Sequence, residues 1–488
     1  MRVHVKRVLG GLAAGVLIVA GLAEAGGAAY ASGSSGSWDK AIEVPGTSSL
    51  NAGGNAYVSS VSCTSRGYCA AVGNYANAPG DDSSSQGFVV SRQNGKWGKA
   101  RQVPGITALG GGSLSQLDSV SCASPGNCTA GGFYFDSSTA QWAFVVTERN
   151  GKWGNAMQVA HALNIAGFGE VYSVSCPSVG NCAATGYYGG GPEDSSTAPF
   201  VINQRNGTWG AAIEVPGSAA LNVINDSRAN SISCSSAGNC ALGGFYLDAS
   251  GGRQAFVASE RNGTWHSAIE VPGTAAVNLG GQAAVYSVSC SAAGDCAAGG
   301  YYEASVFNVD TQRAKWQAFV VTERNGSWAK AVPVLHTPSI NDNVPGAGAQ
   351  SVSCPSTGHC TASGAFIDGS GRLEAFVVGQ SKGKWGTATI VPGTGALNAG
   401  DQAEAPTVSC PSAGNCVIGG SYTSSGGHSQ AFLASQRNGK WSKAIEVPGT
   451  KRLNVGGDAA VNSVSCPAVG KCSAGGFAAH QAFVVSQG

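Results

Sequence analysis

Three features of the chain predict an all-β fold, an eight-bladed β-propeller of four-stranded antiparallel blades. Cysteines recur in eight evenly spaced pairs, hairpin signals followed by tryptophan recur with the same period, and a strand missing from the C-terminal unit stands instead near the N-terminus. The period is about 57 residues over 32–488, a length at which repeats build propellers, solenoids or arrays.

The cysteine pairs are Cys63 with Cys69, Cys122 with Cys128, Cys176 with Cys182, Cys234 with Cys240, Cys290 with Cys296, Cys354 with Cys360, Cys410 with Cys416 and Cys466 with Cys472. Five residues separate the partners each time, and all 16 cysteines are used. Each first cysteine ends a run such as Ser60-Val61-Ser62-Cys63. An even count at fixed spacing predicts one disulfide within each unit, closing a turn on the surface of the ring. A small closed loop of this kind contributes about 2 kcal/mol by the chain-entropy estimate. A zinc cluster would need nearby histidines, and His161, His266, His336, His359, His428 and His480 fall at unrelated places in the repeat.

The N-terminus fits the same compartment. Arg2, Lys6 and Arg7 precede an apolar run from Val8 to about Ala23, and Ala29-Tyr30-Ala31 supplies small residues before Ser32, so residues 1–31 read as a secretory signal and 32–488 as one exported propeller domain. The apolar run is short and broken by glycines, which disfavours a membrane anchor. Without 1–31, 25 basic residues stand against 26 acidic ones. A near-neutral surface argues against nucleic acid or anionic membrane as a partner. Only 11% of residues are charged and 74 are glycine, a composition of many tight turns around a regular apolar pattern.

Each unit offers four strands. The first ends in the Ser-Val-Ser-Cys run; the second follows the second cysteine, as in Cys128 to Tyr134; the third is an apolar run such as Ala143 to Arg149; the fourth runs from Lys152 to Val159. Asn150-Gly151 joins the third to the fourth, and both residues tolerate the positive φ of a type I′ turn. The dipeptide recurs at Asn94, Asn206, Asn262, Asn325 and Asn438, with Lys382-Gly383 in its place once, and each is followed by one of Trp97, Trp153, Trp209, Trp265, Trp328, Trp385 and Trp441. The eighth unit stops after its third strand, Ala482 to Gly488, and Trp38 to Val44 carries the missing fourth. A strand borrowed from the other terminus joins the ends of a ring, whereas a solenoid would carry caps.

In this arrangement the cysteine turn and the Asn-Gly hairpin share one face, which is short and repetitive. The opposite face holds the diverging second-to-third loops (Ala76 to Gln86, Gly189 to Ala198, Glu303 to Lys315) and the fourth-to-first loops, with their Leu-Asn cores at Asn51, Asn164, Asn222, Asn398 and Asn454. Variable loops on a rigid ring are where binding residues reside, while the repeated asparagine is expected to support its own loop. Trp142 and Trp316 alone lie outside the hairpin position among the repeat tryptophans and border variable loops; they are the candidate anchors for a sugar ring or a protein partner, with cover for a neighbouring blade as the competing role. Asp136, Asp248 and Asp368 follow the aromatic end of the second strand. They are candidate ligand contacts through calcium or sugar hydroxyls, with turn capping as the favoured alternative.

The Arg-Asn-Gly-x-Trp hairpin resembles the Asp-box hairpin of sialidase-type propellers and, more broadly, the kelch and Asp-box repeats of secreted bacterial propellers. Asparagine stands where that pattern has aspartate, and one residue fewer precedes the tryptophan. The resemblance implies the fold and a structural turn. A sialidase would further need three arginines and a Tyr/Glu pair, but Arg149, Arg205, Arg261, Arg324 and Arg437 recur beside the hairpin, and Glu43, Glu214, Glu270 and Glu446 recur before Val-Pro-Gly, as framework residues do. The expected function is therefore a secreted, monomeric, non-enzymatic recognition module for an extracellular glycan or protein, with no catalytic set and no cofactor beyond a structural calcium. A glycoside hydrolase or polysaccharide lyase on the same face, or a protein-interaction or cell-surface scaffold, is the alternative; an unpaired His, Tyr or acid cluster converging at the central channel would favour the enzyme, and a wide neutral groove with Trp142 or Trp316 exposed would favour binding.

Overall fold

The computed structural model describes residues 36–488 apart from 80–84, 113, 165, 190–195, 306–314 and 335–347; the segment read as a signal lies outside the described residues, as do parts of the variable loops. Blade 3 shows the unit. Gly169–Ser178, Asn181–Gly189 and Thr197–Arg205 pair antiparallel in order, and the fourth strand follows in two pieces, Thr208–Trp209 and Ile213–Glu214. The sequence suggests an unbroken fourth strand. Instead Trp209 pairs with Gln204 and Ile213 with Val201, so one extra residue bulges between the pieces.

The bulge serves the ring. It turns an alanine N–H away from its own blade to the proline carbonyl of the preceding Val-Pro-Gly: Ala268 to Pro216 (2.6 Å), Ala444 to Pro392 (2.6 Å) and, across the closure, Ala41 to Pro448 (2.6 Å). A ladder hydrogen bond within the blade is exchanged for one between blades.

Blade 8 has three strands of its own, Ala459–Ser465, Ser473–Ala478 and Gln481–Ser486, and takes Ile42–Glu43 as its fourth. Ile42 pairs with Val484, Glu43 with Phe483, and Trp38 bridges to Gln487. The N-terminal strand thus closes an eight-bladed, all-β ring, as the displaced repeat predicts.

Around the axis the first strands stand side by side, and the serines of Ser-Val-Ser-Cys join them. Ser60 Oγ accepts from Val120 N–H (3.2 Å) and Ser62 Oγ from Cys122 N–H (3.0 Å); the same two bonds recur at every interface, ending with Ser463 to Val61 (3.0 Å) and Ser465 to Cys63 (2.9 Å). Thr407 replaces a serine once and accepts from Val464 N–H in the same way (3.1 Å). Residues two apart on a strand share a face, so both hydroxyls reach the neighbouring blade while the valine between them enters the core. That core carries one fully buried phenylalanine per blade on the third strand, among them Phe88, Phe144, Phe200 and Phe483.

The eight disulfides all lie within single blades, six positions apart, with Cα atoms 3.9–4.1 Å apart. The pairing is as the spacing predicts, but the setting differs from a surface turn. The second cysteine of each pair, Cys69, Cys128, Cys182, Cys240, Cys296, Cys360, Cys416 and Cys472, is only 2–7% exposed. It lies at the start of the second strand, below the turn. There Cys128, Cys296, Cys360, Cys416 and Cys472 join the apolar clusters between blades. A disulfide has no strong hydrogen-bonding group to satisfy and packs as a compact apolar body, so each link fills core space as well as closing its turn.

Hairpin asparagines hold φ of 46–49° and Lys382 holds 49°. Each hairpin glycine N–H bonds the cysteine turn of its own blade, as Gly151 does with Gly126 O (2.9 Å), which places both turns on one face. Trp153 Nε1 donates to Ser91 Oγ (2.9 Å) and Trp328 Nε1 to Ser259 Oγ (3.0 Å), each on the preceding blade. The hairpin tryptophans are inter-blade struts.

Candidate functional site

The candidates read from the sequence separate in the structure. Asp136 Oδ1 accepts from Ser138 N–H (2.8 Å), Ser138 Oγ (2.6 Å) and Ala140 N–H (3.1 Å), and Oδ2 accepts from the Trp142 indole (2.7 Å). The Ser138 hydroxyl bond is the main cause that holds its carboxyl at about 2. Asp248 and Asp368 make the same turn, through Ser250 with Gly252 and through Ser370 with Arg372. These oxygens are taken up by their own loops, and no group of three potential metal ligands forms among the described residues. The aspartates cap turns.

The disulfide cysteines stand apart from any binding surface on the variable-loop face. Cys69, Cys296, Cys360, Cys416 and Cys472 are buried in the blades, and each sulfur is covalently paired with the cysteine six residues before it. The turn between the partners returns the chain into the second strand, where the second cysteine packs among the blades. Their role is structural.

Trp142 belongs to the same framework. It occupies the position of Gln254, whose amide likewise donates to Asp248 Oδ2 (2.8 Å), and its ring packs on His161 at 5.1 Å and against the core between blades 1 and 2. Trp316 differs. Its register partner is Glu303, one step along from the Trp142 pairing, so it emerges on the other side of the sheet. There it stacks on Tyr301 at 5.0 Å, and Tyr301 stacks on Tyr286 at 5.0 Å.

Tyr286 owes its place to a bulge near the start of the first strand. In every blade a residue there has no partner on the second strand: Ser59, Asp118, Tyr172, Asn230, Tyr286, Gln350, Pro406 (with Ala405) and Asn462 in order. The glycine opposite makes room. A Cβ on Gly132 would fall 1.9 Å from Gln116 O, so the second Gly of the Gly-Gly pair is obligatory. The bulge residue and the residue two before it lie at the axis on the variable-loop face. Around the ring this position is furnished unevenly. Blades 2 to 5 carry Gln116 with Asp118, Glu170 with Tyr172, Arg228 with Asn230 and Ala284 with Tyr286, whereas blades 6 to 8 carry Gly348 with Gln350, Glu404 with Pro406 and Ala460 with Asn462, and blade 1 carries Tyr57 with Ser59.

Between blades 2 and 4 the side chains form a hydrogen-bonded group. Glu170 Oε2 accepts from Tyr187 Oη (3.0 Å) and Gln141 Nε2 (3.4 Å). Arg228 donates to Tyr172 Oη (3.2 Å), lies over the Tyr187 ring at 4.5 Å and stands 3.7 Å from Asp226. Burial, then the charge of Glu170 and a hydrogen bond to it, pushes the Asp118 carboxyl well above the usual range. Glu170 is raised too, by burial, offset by Tyr187, Asp118, Arg228 and Gln141. Burial pushes the Tyr172 phenol up to about 12 and Tyr187 higher still, so Tyr187 donates to Glu170 and Tyr172 accepts from Arg228 as neutral phenols.

Blades 4 and 5 form the aromatic half. Arg253 lies over the Phe245 ring at 4.1 Å. Phe245 packs with Ala284, Tyr301 and Trp316. Tyr286 is 43% exposed, which leaves a ring edge and face open to the axis. The sequence reading missed all of these residues except Trp316. The available signal was departure from the repeat at one column, the residue before Ser-Val-Ser-Cys, where small and polar residues give way to Asp118, Tyr172 and Tyr286.

The repetitive face has clefts of its own, which run along the seams between blades. That between blades 3 and 4 has a volume of about 360 Å³ and is lined by Asn203, Arg205, Glu260 and Gly263 among others. Asn203 Nδ2 donates to Glu260 (2.6 Å) and Arg205 to Gly263 O (3.3 Å), so the lining is occupied in joining the blades. Glu214 and Glu270 are framework too: Tyr188 donates to Glu214 (3.1 Å) and Tyr246 to Glu270 (3.1 Å).

No family model matches the chain, and no curated protein matches it. Solved structures similar to it include the Hadza microbial sialidase Hz136 (8% identity, 92% of this chain and 68% of that one, TM-score 0.34). A polysaccharide lyase, the PL25 ulvan lyase, is similar at 10% identity, 74% of this chain, 89% of that one and a TM-score of 0.44. The β-propeller domain of the Trilobed protease from Pyrococcus furiosus is similar at 8% identity, 80% and 97% coverage and a TM-score of 0.42. Likeness at this level carries no argument about activity.

Proposed function

We propose that the chain is an exported glycan-binding module whose binding surface is the axial mouth on the variable-loop face, at blades 4 and 5. The observation that carries this reading is the ladder Tyr286–Tyr301–Trp316, three rings at successive centroid spacings of 5.0 Å, ending in an exposed tyrosine. Sugar rings present flat apolar faces edged with hydroxyls, and a ladder of aromatic faces beside Asp118, Glu170 and Arg228 offers both stacking and hydrogen bonds. Eight disulfides suit an extracellular setting, and no helix among the described residues is long and apolar enough to cross a membrane.

Glycan cleavage at the same mouth is the second reading, favoured by the grouping of Tyr187, Glu170 and Asp118. A glycan array probed with the purified protein tests binding, and reducing-end and unsaturated-product assays on the captured glycans test cleavage. Capture without product is the expected outcome. Product formation would replace the binding reading with the enzymatic one, and an empty array would remove both.

A further inference from the structure

We infer that the glycan bound at this mouth is anionic, and that Arg253 takes up its carboxylate or sulfate; the inference rests on the glycan-binding reading and specifies its ligand class. Arg253 begins the third strand of blade 4. Its guanidinium carbon lies over the Phe245 ring, 4.1 Å from the centroid, close enough to Tyr286 for its charge to act on that phenol. The Nε is buried without a hydrogen-bond partner, and among the described residues its side chain has no hydrogen bond and no ion pair.

Arg228, Arg261 and Arg372 are also partly buried, and each faces a carboxylate: Asp226 at 3.7 Å, Glu323 at 3.5 Å and Asp401 at 2.6 Å. Arg92 donates to backbone carbonyls instead, and Arg437, beside a hairpin on the repetitive face, shares with Arg253 the lack of a side-chain partner among the described residues. A half-buried guanidinium without a counter-charge is unfavourable, because burial removes water that nothing replaces. Its five donors form a planar fork that matches a carboxylate or a sulfate edge. Phe245 backs the guanidinium on one side and Tyr286 is within range of its charge, so an acidic sugar stacked on Tyr286 would bring its anionic group to Arg253. The placement supplies a cation and a stacking surface in one subsite, with the neutral ladder continuing toward Trp316.

The test uses matched glycans from the captured class: the acidic form, its carboxyl-reduced counterpart and its desulfated counterpart, titrated calorimetrically at low and physiological salt. The acidic form should bind at least tenfold more tightly than the counterpart lacking the relevant anion, and the margin should shrink with salt. Whichever treatment removes the margin identifies carboxylate or sulfate. Arg253→Gln should abolish the margin while leaving affinity for the neutral counterpart, and Arg253→Lys should restore part of it. Equal binding of acidic and neutral forms by the wild-type protein would overturn the inference while leaving glycan binding in place, and does not depend on any variant folding. Absence of binding by every form would overturn the glycan reading and this inference together.

Discussion

At the scale of single residues, the two tryptophans outside the hairpins divide by one step of register. Trp142 ties its indole N–H to Asp136 and packs between blades, whereas Trp316 joins the axial ladder. Trp142→Ala should therefore lower the melting temperature, as loss of a packed aromatic costs about 3–5 kcal/mol, and leave glycan affinity unchanged in whatever remains folded. Trp316→Ala should weaken binding with a smaller thermal effect. The sequence marked both as irregular but could not separate them, since sheet face follows from pairing register and the intervening loops differ in length. Asp118 makes a second prediction. Its folded-state affinity for a proton is raised, so the folded protein holds that proton more tightly than the unfolded chain. This contribution is fully present below the unfolded value, near pH 4, and is lost as pH rises through the elevated one. Asp118→Asn mimics the protonated form. Denaturant titrations should then show a smaller loss of stability between pH 4 and 7 than in the wild type; an identical profile would mean that Asp118 is not the group holding the proton.

At the scale of strands, the serine belt is the element least expected from the sequence. Alternating serines around a buried valine announced a strand with one polar face, yet nothing in one unit could show that the hydroxyls accept from the next unit's backbone. Ser60→Ala leaves the Val120 N–H without its acceptor and should cost about 1–3 kcal/mol. Ser60→Thr should cost far less, because Thr407 fills that role in blade 7; chemical denaturation of the two variants checks the pair. The split fourth strand was hidden for the same reason, since its bulge answers a proline carbonyl on a neighbouring blade. The burial of the second cysteines was hidden likewise, because the spacing that pairs them does not say which blade covers them. The displaced strand, by contrast, was legible in full, because a counted repeat exposes a missing part. Removing residues 36–46 would strip Ile42–Glu43 from Val484 and Phe483 and also break the bond from Ala41 to Pro448. Scanning calorimetry should show a drop well beyond that of trimming to Ser37, with an exposed edge at Phe483 to Ser486 that promotes association.

For the whole molecule, regularity and function are written at different places in the same repeat. Disulfides, hairpin tryptophans, arginines and the Glu-Val-Pro-Gly glutamates recur because every blade must meet its neighbours alike, and their recurrence made the fold readable. The candidate site consists of departures from the repeat at the axial bulge, which become a cluster only when the ring brings blades 2 to 5 around one opening. That convergence depends on closure and on the register of every first strand, neither of which a linear reading supplies. The most direct measurement of the account is the affinity of Tyr286→Ala for a glycan captured by the wild-type protein. Because Tyr286 is the exposed end of the ladder, the account predicts a loss of roughly thirtyfold or more, corresponding to the ~2 kcal/mol of an aromatic anchor, with an unchanged melting temperature. Undiminished affinity in a folded Tyr286→Ala protein would contradict it.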